Sequence, residues 1–312
     1  MSNRPVLWPR SFREKKRVFN SMARRAALAL TSLTAVMAPV AAFADQPKPW
    51  QWRFQEPATD IMREIAWFEL YTLWFIVPIT LFVLGLLVYV IVRYNSTANP
   101  VPSRTSHNTM IEVVWTVAPV VILLFLAVPS FQLLERQFTP PTEPEITIKA
   151  TGFQWYWGYE YQLDEGEPIS FDALLVDSDA DRAATGKEDL AAYPRLLAVD
   201  NDVVVPVDTT VRLLVTAGDV IHNWAMPAFG IKMDAVPGRL NETFFHATKE
   251  GLYYGQCSEL CGKDHAYMPI GVRVVSQADY DAWLGTAQGD LEQANKNLMA
   301  SLEAKRQLAS AE

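Results

Sequence analysis

The sequence predicts a two-helix transmembrane hairpin followed by an all-β sandwich or barrel. Three observations carry that reading. Leu70 to Val92 and Val113 to Leu134 are apolar stretches long enough to span a bilayer. Beyond Pro144 the texture changes to short β-branched and aromatic runs separated by Pro, Gly, Asp and Asn. Within that second region the only two cysteines, Cys257 and Cys261, stand close to His265 and Met268. Soft sulfur ligands with imidazole are a set that copper favours.

The chain begins with a basic segment. Eight of its 27 basic residues and one of its 35 acids lie before Asp45, which leaves 19 basic against 34 acidic residues in the remainder. An acidic body of that kind repels nucleic acid and attracts basic partners. The basic start, the apolar run from Ala26 to Ala42 and the small-residue site Ala42-Phe43-Ala44 read together as a cleaved secretory signal over residues 1–44. Export places the cysteines in an oxidising compartment, where a disulfide is their default fate.

Residues 45–66 are polar and contain Pro47, Pro49 and Pro57, and are expected to form an extended arm. The hairpin follows over 67–138, with spans at about 70–92 and 113–134. Two such apolar stretches in succession are too long and too uniformly apolar for buried core helices. The link between them carries Arg93 and Arg104 and little acid before Glu112, so it is expected to face the cytoplasm. Both mature termini then lie outside, as a signal peptide requires. Tyr71, Trp74, Tyr89, Tyr94 and Trp115 stand near the span ends, as interfacial anchors do.

A Pro-rich linker, Thr139 to Pro144, leads into the β region at 142–278. Ile146 and Ile148 alternate with polar residues, and Trp155, Trp157, Tyr159 and Tyr161 repeat at period two. Val203–Val207, Val211–Val215, Thr243–Phe245, Leu252–Tyr254 and Ile270–Val275 are further strand candidates. Many short strands with turn signals describe a sandwich or barrel. Ser178 to Ala192 reads as a polar surface insertion, and 279–312 as a charged C-terminal tail, an exposed helix or loose segment.

Cys257 and Cys261 could form a strained disulfide or bind zinc with His265 and His222. Met268 argues against both, because a thioether is a weak, soft ligand typical of copper electron-transfer sites. A mononuclear site of that type needs one thiolate, and this loop has two. Two thiolates can each bridge two metals, with one histidine per copper and weak ligands at the ends. His222 is expected from a neighbouring loop between two strands. His107 and His246 fall outside this set and read as surface or packing histidines.

The loop Cys257-Ser258-Glu259-Leu260-Cys261-Gly262-Lys263-Asp264-His265-Ala266-Tyr267-Met268 resembles the copper-A site of bacterial cytochrome c oxidase subunit II, of the haem-copper oxidase family. The likeness extends through Gln154 to Tyr161, Val199-Asp200-Asn201, His222-Asn223-Trp224 and Asp234 to Arg239, and includes the hairpin. It implies a cupredoxin-like Greek-key β domain. It also implies that Cys257 and Cys261 bridge two copper ions, that His222 and His265 bind one each, and that Met268 and the Glu259 carbonyl are the weak ligands. The Glu259 side chain is implied to help bind magnesium shared with subunit I.

The resemblance further assigns electron entry to Trp155, which is implied to lie exposed above the copper, and packing to Trp157. It assigns docking of a lysine-rimmed cytochrome c to Glu160, Asp200 and Asp219, and proton entry to Glu112. Taken alone, each of these acids is an ordinary surface or helix-start carboxylate. The implied function is the electron-entry subunit of a cytochrome c oxidase, an oxidoreductase and translocase. Its implied partners are subunits I and III and membrane lipid, with haem held only by a partner subunit. The implied location is the bacterial inner membrane, with two spans and the copper domain periplasmic. A copper-free quinol oxidase subunit II lacks the Cys-His-Met set present here. A stand-alone membrane-anchored copper protein explains neither the two spans nor the glutamate between the cysteines.

Overall fold

The computed structural model describes residues 46–163 and 166–311, so the expected signal segment, 1–44, lies outside the described residues. Two long helices come first, α1 (Asp60–Arg93) and α2 (Thr109–Phe138). Both are long and apolar enough to cross a membrane. Thr59 caps α1 by accepting from the Met62 amide, and Asn108 caps α2 by accepting from the Ile111 amide. The helices run antiparallel, since Tyr71 donates to the Phe125 carbonyl and Arg136 pairs with Glu64.

Helix α1 starts well before the expected span, at Asp60 inside what the sequence suggested was an extended arm. The reason is local. Thr59 supplies the cap and Asp60 places an acid in the first turn, where it complements the helix dipole. The arm before it is docked rather than free. Ala58 donates to the Ala228 carbonyl at 2.9 Å and accepts from the Thr248 amide at 2.8 Å. The Thr59 hydroxyl donates to the Phe229 carbonyl at 2.8 Å.

Among the described residues, ten strands build a cupredoxin-like sandwich. One sheet has the order β3-β2-β1-β5-β8, with β1 (Ile146–Phe153), β2 (Tyr156–Gln162), β3 (Ile169–Ala173), β5 (Thr210–Ala217) and β8 (Asn241–His246). The other has the order β4-β10-β9-β6-β7, with β4 (Val203–Pro206), β6 (His222–Met226), β7 (Ile231–Ala235), β9 (Gly251–Cys257) and β10 (Pro269–Val275). The pairs β1–β5 and β4–β10 are parallel, and the other pairs antiparallel.

Period-two patterning on β2 aims Trp157, Tyr159 and Tyr161 into the core, where all three are buried. The two tyrosine hydroxyls tie the sheets together. The Tyr161 hydroxyl donates to the Val204 carbonyl and accepts from the Val204 amide, both at 2.8 Å, and the Trp224 indole donates to the Tyr159 hydroxyl. The aromatic run does not begin at Trp155, which lies in the turn between β1 and β2.

The structure gives detail to two peripheral segments. The segment at 178–192 contains helix α3 (Asp179–Thr185), closed by a Ser178–Asp181 capping box and by Gly186 in the left-handed conformation. It also buries two cations. Arg182 donates to the Lys187, Tyr193 and Val176 carbonyls, and Lys187 to the Val199 and Asp200 carbonyls and the Asp202 carboxylate. Arg273 grips the second Asp202 oxygen. The C-terminal segment forms α4 (Gln277–Ala287) and α5 (Leu291–Ala311), which bury Tyr280, Trp283, Ala294 and Leu298 against the sandwich. The Trp283 ring lies 5.4 Å from that of Tyr161, tilted by 52°, and its indole donates to Asn295.

Candidate metal centre

Strand β6 begins at His222 and β9 ends at Cys257, and pairing of Trp224 with Cys257 sets these ends side by side. The loop from Ser258 returns through Cys261 and a short 3-10 turn, His265–Tyr267, to Met268 at the entrance to β10. Gly255 makes the β6–β9 approach possible, because a Cβ there would lie 2.0 Å from the Ala225 carbonyl oxygen. His222 was expected in a loop. The structure makes it the first residue of a strand, fully buried.

These elements bring six donor groups together. The Cys257 and Cys261 sulfurs are 3.9 Å apart and both thiols are free. Cys257 Sγ is 3.9 Å from His222 Nδ1 and 3.3 Å from the Glu259 carbonyl. Cys261 Sγ is 3.5 Å from both His265 Nδ1 and Met268 Sδ. His222, Cys257 and Cys261 form a buried group able to hold a metal ion. Two thiols flanked by two imidazole Nδ1 atoms, a thioether and a carbonyl fit soft copper better than a hard cation.

The electrostatics differ between the cysteines. Burial pushes Cys257 up, but His222 and the Asn223 and Glu259 backbone outweigh it and bring the thiol to about 7. Burial, reinforced by neighbouring Cys257, pushes Cys261 to about 12. Burial lowers His222, yet Cys257 and Asp219 more than offset it and leave the imidazole raised.

Trp155 is half-buried beside this loop, not fully exposed. Its indole edge packs on Gly262, where a Cβ would stand 2.9 Å from Trp155 Cζ2. Lys263 lies over the ring at 5.6 Å from its centroid. The neighbouring Gln154 side chain donates to the Cys261 carbonyl at 2.7 Å. Trp157 is buried, 6.1 Å from the His222 ring.

The other expected residues are spread out. Glu160 sits opposite Lys149 on β1, 3.9 Å away, and is 39% exposed. Asp200 accepts from the Leu174 and Asn201 amides, and its burial raises the carboxyl's pKa. Asp219 accepts from the Gln154 and Val220 amides and from His222 Nε2. The Glu259 side chain is exposed. Glu112 accepts from the Asn108 amide and so caps α2, about 40 Å along the helix from its domain end. His246 lies 4.0 Å from Asp60, outside the centre.

Sequence reasoning did not identify Gly152, Gln154 or the inward role of Asp219. A Cβ on Gly152 would meet the His222 ring at 2.9 Å. Asp219, three residues before His222, was the one legible signal, because a turn brings that spacing within hydrogen-bond reach.

Comparison with known proteins gives a consistent pattern. The family model for the periplasmic domain of cytochrome c oxidase subunit II matches residues 146–275, and that for its transmembrane domain matches 47–133. A probable cytochrome c oxidase subunit 2 of Rickettsia felis is 48% identical over 244 residues, covering 78% of this chain and 74% of the relative. Cytochrome c oxidase subunit 2 of Zea mays is 45% identical over 247 residues, covering 78% and 92%. Among solved structures, the periplasmic domain of subunit II of cytochrome oxidase of Bradyrhizobium japonicum is 51% identical. That match covers 48% of this chain and 98% of the other, with a TM-score of 0.42.

Proposed function

The chain belongs to the cytochrome c oxidase subunit II family, and from that premise we propose that it is the electron-entry subunit of a cytochrome c oxidase. It takes electrons from a c-type cytochrome at a dinuclear copper-A centre and passes them to haem in subunit I, where oxygen is reduced to water and protons are pumped. The observation that carries this reading is the convergence of two free thiols, two imidazole Nδ1 atoms, a thioether and a carbonyl on one buried point. When bound, the copper pair supplies one-electron redox chemistry.

The chain's own residues do the rest. The Cys257 and Cys261 sulfurs, His222 Nδ1, His265 Nδ1, the Met268 sulfur and the Glu259 carbonyl would hold the copper ions. Burial of His222, Cys257, Cys261 and Met268 excludes water and limits movement of the ligands between redox states. Trp155 is the entry point. Its packing on Gly262, one residue from Cys261, supports that role.

Glu160 is the best-supported docking acid, because it is partly exposed on the strand that leaves the Trp155 turn. Asp200 and Asp219 add negative potential to the same domain while their oxygens serve local amides. The exposed Glu259 carboxylate is free to meet subunit I and share a magnesium ion there. Glu112, at the far end of α2, marks the proton-entry side. Subunits I and III cover the hairpin together with lipid. The copper domain lies on the periplasmic side of a bacterial inner membrane, reached after cleavage of the signal segment near residue 44.

Copper analysis with electron paramagnetic resonance on the purified full-length protein tests the reading. Two coppers sharing one unpaired electron are expected. A single localised copper, zinc, or a metal-free disulfide would overturn it.

A further inference from the structure

We propose that Lys263 is a specificity-determining residue of the donor-docking face: its cation over the Trp155 ring favours a donor with an oxygen acceptor opposite the indole and rejects one with a lysine there. This rests on the electron-entry reading above and specifies the surface chemistry of the partner. With 19 basic against 34 acidic residues after position 44, the body of the chain suits a cationic donor. Lys263 runs against that balance beside the entry residue itself.

An anchored backbone places this lysine. Gln154 donates its side-chain amide to the Cys261 carbonyl at 2.7 Å, and the Trp155 edge packs on Gly262, the residue just before Lys263. Lys263 Nζ stands 5.6 Å from the Trp155 ring centroid, within the range at which an ammonium is attracted to an indole face. The side chain is 80% exposed, and Asp264, 3.6 Å away, makes only a weak, solvated pair with it. An ammonium has three N–H donors, so it can still bond an oxygen on a partner. Trp155 Nε1 is buried and has no acceptor among the described residues, so the indole itself offers a partner no hydrogen bond. On the other side of the same turn, Asp219 accepts from the Gln154 amide at 2.7 Å. The Trp155 turn thus carries an acid on its Gln154 side and a cation over its ring. A donor's lysines are drawn to Asp219 and Glu160, whereas a lysine opposite the indole meets like charge. Such a repulsive element separates right from wrong partners and orientations.

Three variants of the purified oxidase complex test the assignment. Lys263→Met removes the charge and keeps an unbranched stem, and Lys263→Glu reverses the charge. Lys296→Glu makes the same change of net charge on α5, where Lys296 is 61% exposed and pairs with Glu292 one turn away. Two donors are used: a cytochrome c of net positive charge, and the same cytochrome succinylated on its lysines, which turns it acidic. The readouts are the association rate of each donor at low ionic strength and the copper spectrum. The ratio of the cationic to the acidic donor's rate is expected to rise by about tenfold in Lys263→Glu, about threefold in Lys263→Met and less than about twofold in Lys296→Glu. All three variants are expected to keep the wild-type copper spectrum. A ratio in Lys263→Glu no different from that in Lys296→Glu would overturn the proposal. A changed copper spectrum in Lys263→Met would also overturn it, since the lysine would then support the loop rather than select the donor. A wild-type complex that takes electrons from neither cytochrome would overturn the electron-entry reading, and the proposal with it.

Discussion

Gly152 packs against the His222 side chain, with the place of a Gly152 Cβ only 2.9 Å from His222 Cγ and Cδ2. Gly152 belongs to β1 of one sheet and His222 to β6 of the other, so this contact sets how closely the sheets approach beneath the centre. Gly152→Ala is expected to tilt the His222 ring and weaken copper retention by about 10- to 100-fold, the range seen when a ligand's support is lost. Copper titration against a competing chelator measures it, and wild-type retention would refute the packing argument.

Trp155→Phe is expected to leave copper content and spectrum unchanged while slowing electron entry from cytochrome c. Gly262→Ala is expected to slow entry as well, because the added methyl would overlap the Trp155 edge and the backbone there has a φ of +134°. Rapid-mixing kinetics at saturating donor distinguish both from docking effects. Unchanged entry in Trp155→Phe removes that residue from the path.

Glu160→Gln is expected to reduce association with cytochrome c by about two- to fivefold at low ionic strength and to flatten its salt dependence. The copper spectrum is expected to stay as in the wild type. An unchanged salt slope would show that docking uses another face.

Asp202 is buried between Lys187 and Arg273, at 3.0 and 2.6 Å. Asp202→Asn leaves both cations without their counter-charge and is expected to cost about 3–5 kcal/mol. Burial pushes the Asp202 carboxyl up, but Lys187 and Arg273 outweigh it and hold it below its ordinary 3.8. With a folded pKa below the unfolded one, its stabilising contribution is complete above 3.8 and is lost as pH falls through the folded value. Thermal melts across acid pH are expected to show that limb in the wild type and not in Asp202→Asn.

Local patterns made much of this molecule legible. The apolar length of residues 70–92 and 113–134 announced α1 and α2, and the alternation at Trp157, Tyr159 and Tyr161 announced β2. The two cysteines with His265 and Met268 marked the centre because all four sit in one loop and its edges. What stayed hidden depends on distant partners. Lys187 looks like a solvent-facing lysine until folding brings Asp202 to it, and Ala294 and Leu298 look sparse until Trp283 lies opposite. Strand β6, which carries His222, Asn223 and Pro-flanked Met226, has weak strand texture and is held by pairing with β7 and β9. The Trp155 turn was masked because a period-two aromatic run continues numerically across it.

The stitching of Ala58 and Thr59 to Ala228, Phe229 and Thr248 means that the chain grips the β domain before α1 as well as after α2, where the Glu145 amide donates to Thr210. A body hung from one linker can swivel, whereas a body pinned at two separate points can only rock about the line between them. The centre is therefore restrained relative to the two helices by two attachments within this chain. Under the electron-entry role proposed above, that built-in gauge would make the gap to be crossed a property of this chain.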